Sequence, residues 1–438
     1  MHLTVTKAMK IALVCPVYPP EIVPSAVMQA QLAESLCAKG HHVTVYTTFP
    51  SLPQGRVFDG YRRSLWSVLQ QGQLRLIRCF SFTIGEKRTR LWRALSHLSF
   101  ALTSALRLLL EDKPDLIVAN MAPVISSPII VMTAKLLKVP VANNIQDLFP
   151  EAVESARMIS SGGLAAKIAL WIDRITCRMA DTTIVLSESF KDALMKTRKV
   201  PAEKIEIIRS WVDGSKIKSM SRDNSWRKET EIPLNKFVAM FAGTMGLASG
   251  VDVLVDVAAK LRNDGHDDIL IVCIGEGLLK PKMVQSVSEQ RLNNIVFLPF
   301  QPEERLSEVQ STADVFLLPM EKSHAVSSVP SKLITYLAVG RPILAAVDAG
   351  SSIAKRVHLA NCGLVVPPGD AAEIAKGLIE MKADALKLEK HGSNGRKFFQ
   401  QYMDMPIALA EFESLSSRMV AGKGCTKTLS DGDVLNTH

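Results

Sequence analysis

Residues Ile11-Ala12-Leu13-Val14-Cys15, the prolines Pro16, Pro19, Pro20 and Pro24 behind them, a helical stretch over 25–38, Gly40, and then Val43-Thr44-Val45-Tyr46-Thr47 decide the fold. An unbroken apolar run that stops at prolines reads as a strand buried on both faces of a parallel sheet, its C-terminal end opening into a loop. Gly40 closes the helix, and the next apolar run returns to the sheet, which makes one β-α-β unit. The alternation continues with strands at 75–79, 115–119, 139–143 and 183–186 and helices at 94–110, 128–137 and 165–179. Such a repeat predicts an α/β fold, a doubly wound sheet with helices on both faces.

At 438 residues the chain is longer than one hydrophobic core usually holds. Strands at 237–241, 269–274, 295–298, 315–318 and 343–346, with a helix at 250–262, start a second alternation of the same kind. Between the two, residues 197–235 are rich in Lys and Arg and punctuated by Pro201 and Pro233. The expected organisation is a first Rossmann-like domain over 1–196, a connection over 197–235 and a second Rossmann-like domain over 236–395. A terminal helical segment at 396–421 and a disordered tail at 422–438 follow. Two such domains facing one another, with ligands at the C-terminal ends of their strands, are the architecture this implies.

The seven cysteines are scattered and form no C-x-x-C pair, which points to a reducing compartment and away from a disulfide framework or a zinc site. Residues 1–10 lead straight into a strand, without the pattern of a cleaved signal. The longest apolar stretch, 94–110, is interrupted by Ser96, His97, Ser99, Thr103, Ser104 and Arg107 and is shorter than the ~20 residues of a membrane span. Net charge is +9, and nine cations (Arg56, Arg62, Arg63, Arg75, Arg78, Lys87, Arg88, Arg90, Arg93) fall in one region against only Asp59 and Glu86. That region suits an anionic surface. With Trp66, Trp92 and the stretch 91–110 beside it, the pattern is that of an interfacial anchor or of a core helix flanked by solvated arginines. Nucleic acid ranks lower, because no recognition module is visible.

Residues 327–344 read as loop, helix, glycine stop and strand: Pro330 stands where a helix can begin, Leu333, Ile334 and Leu337 supply its apolar face, and Gly340 ends it. The free amides of a helix start, with Lys332 and Arg341 adding full charges, favour a phosphate. Phe241-Ala242-Gly243-Thr244-Met245-Gly246 follows a strand with two glycines three apart, so the amides of Thr244, Met245 and Gly246 are expected to face a phosphate. Neither a dinucleotide fingerprint nor a Walker loop is present. Gly275-Glu276-Gly277 is a weaker copy of the same turn. Asp147, just after a strand in the first domain, is placed as a general base or as an acceptor for a sugar hydroxyl, its alternative being a turn or cap residue.

The order of 10–20, Gly40-His41-His42-Val43, Asp115-Leu116-Ile117-Val118, 207–213, Phe241-Ala242-Gly243, 294–299, Ala313-Asp314-Val315 and Gly340-Arg341-Pro342-Ile343 resembles glycosyltransferase family 4. Asp147-Leu148-Phe149-Pro150-Glu151 and Val329-Pro330-Ser331-Lys332-Leu333 are similar to its bacterial surface-polysaccharide branch, which includes fucosamine transferases. The resemblance implies a GT-B fold and transfer of a hexosyl or N-acetylhexosaminyl group, with retention, from a nucleotide sugar, most naturally a UDP-sugar. It implies no metal or cofactor. A polyprenyl-diphosphate-linked acceptor at the cytoplasmic face of the inner membrane is implied as well, with the basic region 56–93 against the lipid.

On the same ground the donor diphosphate belongs against Gly243, Thr244, Met245, Gly246, Ser331 and Lys332. The ribose and base belong near Thr335, Phe297, Leu298 and Pro299, and the sugar near Arg209, Ser327, Ser328 and Val329. The chain departs from the family where Ser327 and Thr335 stand at glutamate positions and where Leu247-Ala248-Ser249-Gly250 replaces a basic pair. Pro24-Ser25-Ala26 likewise replaces a glycine pair. A nucleotide-sugar epimerase of the same fold and a non-catalytic scaffold of a polysaccharide assembly complex are the competing expectations.

Overall fold

The computed structural model describes residues 7–52, 55–83, 90–122, 124–149, 163–321 and 331–422. The chain divides into two compact units, residues 1–209 with 408–438 and residues 210–407. In the first unit lie β1 (Lys10–Val14), β2 (His42–Thr48), β3 (Trp66–Gln71), β4 (Leu74–Cys79), β5 (Leu116–Ala119), β6 (Val141–Asn144), β7 (Thr182–Val185) and β8 (Ile205–Ile207). They form one sheet in the order β3-β4-β2-β1-β5-β6-β7-β8, parallel throughout except for β3. The second unit has β9 (Phe237–Ala242), β10 (Ile269–Ile274), β11 (Ile295–Leu298), β12 (Val315–Pro319), β13 (Ile343–Ala346) and β14 (Gly363–Val366), all parallel, in the order β11-β10-β9-β12-β13-β14.

Every residue of β5, β6, β7, β8, β10, β12 and β13 is buried, and of these β5, β10 and β13 are unbroken apolar runs. β3 is absent from the sequence expectation because it buries almost nothing. Ser67, Val68, Leu69, Gln70 and Gln71 are all exposed, and the strand is held as an antiparallel edge on β4 by the turn at Gly72. β8 also lies where a connection was expected. Ile205 and Ile207 are buried in the first unit's core, so the first unit runs on to residue 209.

From there the chain joins the second unit, where Ile217, Trp226 and Ile232 pack into one cluster with Val238, Phe316 and Tyr336. The helix Ala385–Tyr402 stays in that unit too, through Phe398 and Phe399. The chain re-enters the first unit only at Ala408, within the helix Met405–Val420, whose Arg418 pairs with Glu206 of β8 and whose Glu413 pairs with Lys39. Among the described residues no helix is long and apolar enough to cross a membrane. Of the expected tail, residues 423–438 lie outside the described residues.

One buried ion pair ties the first unit's helix layer to the loop after β6. Arg198, with no exposed surface, donates from Nε to Asp173 at 2.9 Å and from its terminal nitrogen to the carbonyl of Phe149 at 2.6 Å. Removing one partner strands a buried charge, whereas replacing both with apolar groups does not. Arg198→Met is therefore expected to cost about 3–5 kcal/mol in denaturant unfolding, and Asp173→Leu/Arg198→Met to recover most of the loss. A double variant as damaged as the single one would contradict this.

Candidate active site

Because the second sheet is all-parallel, the C-terminal ends of its strands share one edge. Its order reverses at β9: the chain steps outward to β10 and β11, then returns past β9 to β12. The crevice between β9 and β12 is therefore the topological switch point, where open α/β sheets bind ligands. Gly243 leaves β9 there, Met320 and Glu321 leave β12, and the helix Ser331–Val339 leads on to β13.

At the crevice, backbone conformation favours glycine, and the nearest neighbour is a lysine. Gly243 has φ +148, and a Cβ on it would lie 3.3 Å from Cε and 3.4 Å from Nζ of Lys332. That ammonium sits 4.1 Å from the ring centroid of Phe241, over its face. It has no carboxylate partner among the described residues, and burial lowers its pKa from 10.5 to about 8. Phe241 favours the charged form and partly offsets that burial.

The loops after β9 and β10 support each other. Gly243 N–H donates to Ile274 C=O and Met245 N–H to Glu276 C=O, both at 2.9 Å. Cβ atoms on Gly275 and Gly277 would fall 2.1 Å from the Gly243 oxygen and 2.4 Å from the Met245 oxygen. This corrects the expectation for Met245: its amide is engaged and its side chain is core. The amides of Thr244 and Gly246 have no partner among the described residues. The 275–277 turn is a brace for the first loop rather than a second copy of it.

The sequence reading missed Tyr336, which fixes the helix against β9. It is fully buried, accepts the Ala242 N–H at 2.9 Å, donates to the Ala242 C=O at 3.1 Å and stacks on Phe316 at 3.8 Å. Its signal was a tyrosine inside an apolar helix face, since a buried phenol needs a partner. Phe241 was likewise quoted only as part of a motif.

Thr335 is half-buried and donates to the Lys332 C=O at 3.0 Å, leaving its oxygen lone pairs to accept. Phe297 and Leu298 end β11, half-buried, at the same sheet edge. Pro299 and Phe300 beyond them are exposed, with Phe300 Cε1 3.3 Å from the position of a Cβ on Gly275. Ser327, Ser328, Val329 and the side chain of Ser331 lie outside the described residues.

Arg341 does not join Lys332. The intervening helix is about 13 Å long, and Arg341 donates to the carbonyls of Met220 and Ser311 while Arg396 donates to that of Ala338. Cations at helix C-termini offset carbonyl dipoles. Here they line a cavity of about 770 Å³ at the opposite sheet edge, shared with Arg222, Asp314 and Lys382.

In the first unit Asp147 follows β6 in a loop held by Arg198 at Phe149 and by Gln146 Nε2 donating to Asn144 Oδ1 at 2.9 Å. The residue keeps much of its surface, yet neighbours crowd water from the carboxyl and raise its pKa. The switch point of this sheet lies between β1 and β5. The loop after β1 is fixed there by Glu21, which accepts the amides of Ser51 and Leu52 at 2.9 Å, and by Arg78, which donates to Thr48 and Pro19 carbonyls.

Arg209 follows β8 and acts electrostatically on Glu411 of the helix Met405–Val420, whose pKa burial raises to about 7. In the basic region, Arg75 pairs with Glu111 and Arg78 is buried, so both are taken by internal partners. Lys87, Arg88 and the Arg90 side chain lie outside the described residues.

Residues 25–211 match the family model of the glycosyl transferase 4-like domain, and residues 222–398 that of glycosyl transferases group 1. WcaI of Escherichia coli (strain K12), named as a colanic acid biosynthesis glycosyl transferase, is 24% identical over 404 residues, 90% of this chain and 96% of that protein. Among solved structures, sucrose-phosphate synthase from Thermosynechococcus elongatus superposes with a TM-score of 0.73 at 18% identity, covering 94% of this chain and all of that one. Anabaena HepE, in complex with UDP and glucose, superposes at 0.66 and 15% identity, covering 93% and 100%.

The lysine generates a pH prediction. Its folded pKa lies below 10.5, so between about 8 and 10.5 the unfolded chain binds more protons and stability rises with pH, while below about 8 the burial penalty is fully present. Lys332→Met removes the penalty. Stability at pH 7 is expected to rise by on the order of 1–3 kcal/mol, and the difference from the parent to shrink between pH 8 and 10.5. A variant less stable than the parent at pH 7 would show the ammonium to be satisfied in the free protein.

Proposed function

The chain belongs to glycosyltransferase family 4, with the GT-B fold, and from that premise we propose that it carries out retaining transfer from a UDP-sugar to a saccharide on a polyprenyl diphosphate, in bacterial surface polysaccharide synthesis. The observation that carries the reading is Lys332: a half-buried lysine whose ammonium has no carboxylate partner among the described residues, beside the amides of Thr244 and Gly246, which have no partner among them either, at a switch-point crevice. A diphosphate supplies the missing charge. WcaI, named for colanic acid biosynthesis, supports the polysaccharide, and HepE, solved with UDP and glucose, supports the nucleotide.

In the reaction, the bond from the anomeric carbon to the diphosphate oxygen breaks and the departing diphosphate keeps the electron pair. A bond forms to the acceptor oxygen, whose proton Asp147 takes. Lys332 and the amides of Thr244 and Gly246 bear the leaving charge, electrostatic stabilisation of the kind that dominates such sites. Thr335, Phe297, Leu298 and Pro299 form the nucleoside end, and Arg209, Ser327, Ser328 and Val329 border the sugar. Thr335 accepts a ribose hydroxyl where the family has a carboxylate, so a neutral, weaker contact replaces a charge-assisted one. The enzyme works without metal or cofactor, at the cytoplasmic face of the inner membrane.

Thermal shifts with a panel of UDP- and GDP-sugars test the donor. A UDP-sugar is expected to raise the midpoint, and Lys332→Ala or Gly243→Ala, the latter pushing a methyl against the lysine, to weaken binding about tenfold or more, as loss of a charged contact does. Unchanged affinity in calorimetry would remove Lys332 from the site. NMR of the product is expected to show the donor's anomeric configuration kept. No shift with any nucleotide sugar would favour the scaffold.

A further inference from the structure

Three helices lie side by side on one face of the first sheet: Arg90–Leu110, Ser127–Leu137 and Leu164–Met179. The third is inverted for a helix covering a sheet. Its buried positions are small or polar, Ala166, Ala169, Asp173, Thr176 and Cys177, while Leu164, Ile168, Trp171, Ile175 and Met179 are exposed at helical spacing, Trp171 to 62%. The first also turns an apolar ridge outward, although its buried side carries large residues. Phe100, Ala101, Ala105 and Leu108 are buried, whereas Leu91, Leu98, Leu102, Leu106 and Leu109 are exposed along one ridge. Met132 and Leu136 of the middle helix are exposed between them. An apolar surface shared by three neighbouring helices is more than the scattered apolar residues of an ordinary exterior.

Charge decides what covers it. The first two helices contain no Asp or Glu, and the third has only Asp173, buried against Arg198. Arg93, Lys138, Lys167, Arg174 and Arg178 flank the ridges with no carboxylate partner among the described residues. A second copy of this chain would set cations against cations. An anionic bilayer satisfies both halves of the surface, apolar ridges in the acyl boundary and cations at the phosphates.

We propose that the outer face of these three helices, with Trp171 and the leucine ridge as its inserting residues, docks the first unit onto an anionic lipid surface. It deepens the reading of a lipid-linked acceptor and shifts the contact from Arg75 and Arg78, which are engaged internally, to the helix layer, where Arg93 of the 56–93 region remains part of it. The cations hold the surface at the bilayer, and the apolar ridges fix its depth.

The test is flotation of the full chain with vesicles of phosphatidylglycerol and phosphatidylcholine, against phosphatidylcholine alone. Binding to the anionic vesicles is expected, with a blue shift of tryptophan emission that Trp171→Phe removes. Ile168→Glu/Trp171→Glu and Leu102→Glu/Leu106→Glu are each expected to lower partitioning about tenfold or more, and Lys167→Glu/Arg174→Glu/Arg178→Glu to abolish the preference for anionic lipid. Arg174 is half-buried and the other altered side chains are exposed, and circular dichroism and the UDP-sugar thermal shift should match the parent. Equal flotation of parent and variants overturns the proposal, as does a dimer in sedimentation that these substitutions dissolve while the parent ignores vesicles. Vesicle binding without any nucleotide-sugar shift leaves the docking face standing and defeats the donor reading; the converse defeats the docking face alone.

Discussion

Parallel strands constrain everything else in the second unit. Each β-to-α turn opens at one edge, and the chain reverses its order once, between β9 and β12. Beside that switch point the loops after β9 and β10 close against each other. Glycine makes that possible: the 243 and 275–277 turns approach so closely that a Cβ on either brace glycine would overlap a carbonyl of the other loop. The engaged amides of Gly243 and Met245 hold the two loops together, and those of Thr244 and Gly246, without a partner among the described residues, are the ones the proposed donor would use.

Lys332 is tolerated in this gap at a cost. Desolvation pulls its pKa to about 8, and only the Phe241 face compensates among the described residues. A site that stabilised the ammonium fully with a carboxylate would have less to gain from an anion. On the proposed reading, an anion bound here relieves part of that cost. Tyr336 keeps the arrangement stiff: tied twice to Ala242, it prevents the helix from withdrawing the lysine into solvent.

Sequence carried the architecture because buried parallel strands are written as apolar runs. β1, β10 and β12 announce themselves, and the Gly340 stop ends its helix where expected, with φ +77. β3 was illegible, since an exposed edge strand with Ser67, Gln70 and Gln71 has no buried face to impose a period. The unit boundary was hidden for a related reason: Ile205 and Ile207 are too short a run to reveal that a parallel neighbour awaits them. At the site, Lys332 was visible as a charge at a helix start. Which amides remain free was not, because Met245 is spent on a carbonyl that the sequence does not bring near it. Arg341 misled through proximity in number, as a nine-residue helix carries it to the opposite edge.

The three outer helices show a deeper limit. Periodicity in the helix Leu164–Met179 is strong, and the natural inference puts its large apolar residues on the sheet. Yet close packing of helix on sheet favours small residues at the contact, and Ala166, Ala169 and Thr176 provide it. Leu164, Ile168, Trp171 and Ile175 then have nowhere to go but outward. A hydrophobic period reports that two faces differ, and it carries no sign that says which is inside. The sign comes from side-chain volume against the space available, here together with flanking cations, Arg93, Lys138, Lys167, Arg174 and Arg178, that have no carboxylate partner among the described residues. Those two facts are what distinguish a face made for lipid from a core helix flanked by solvated arginines.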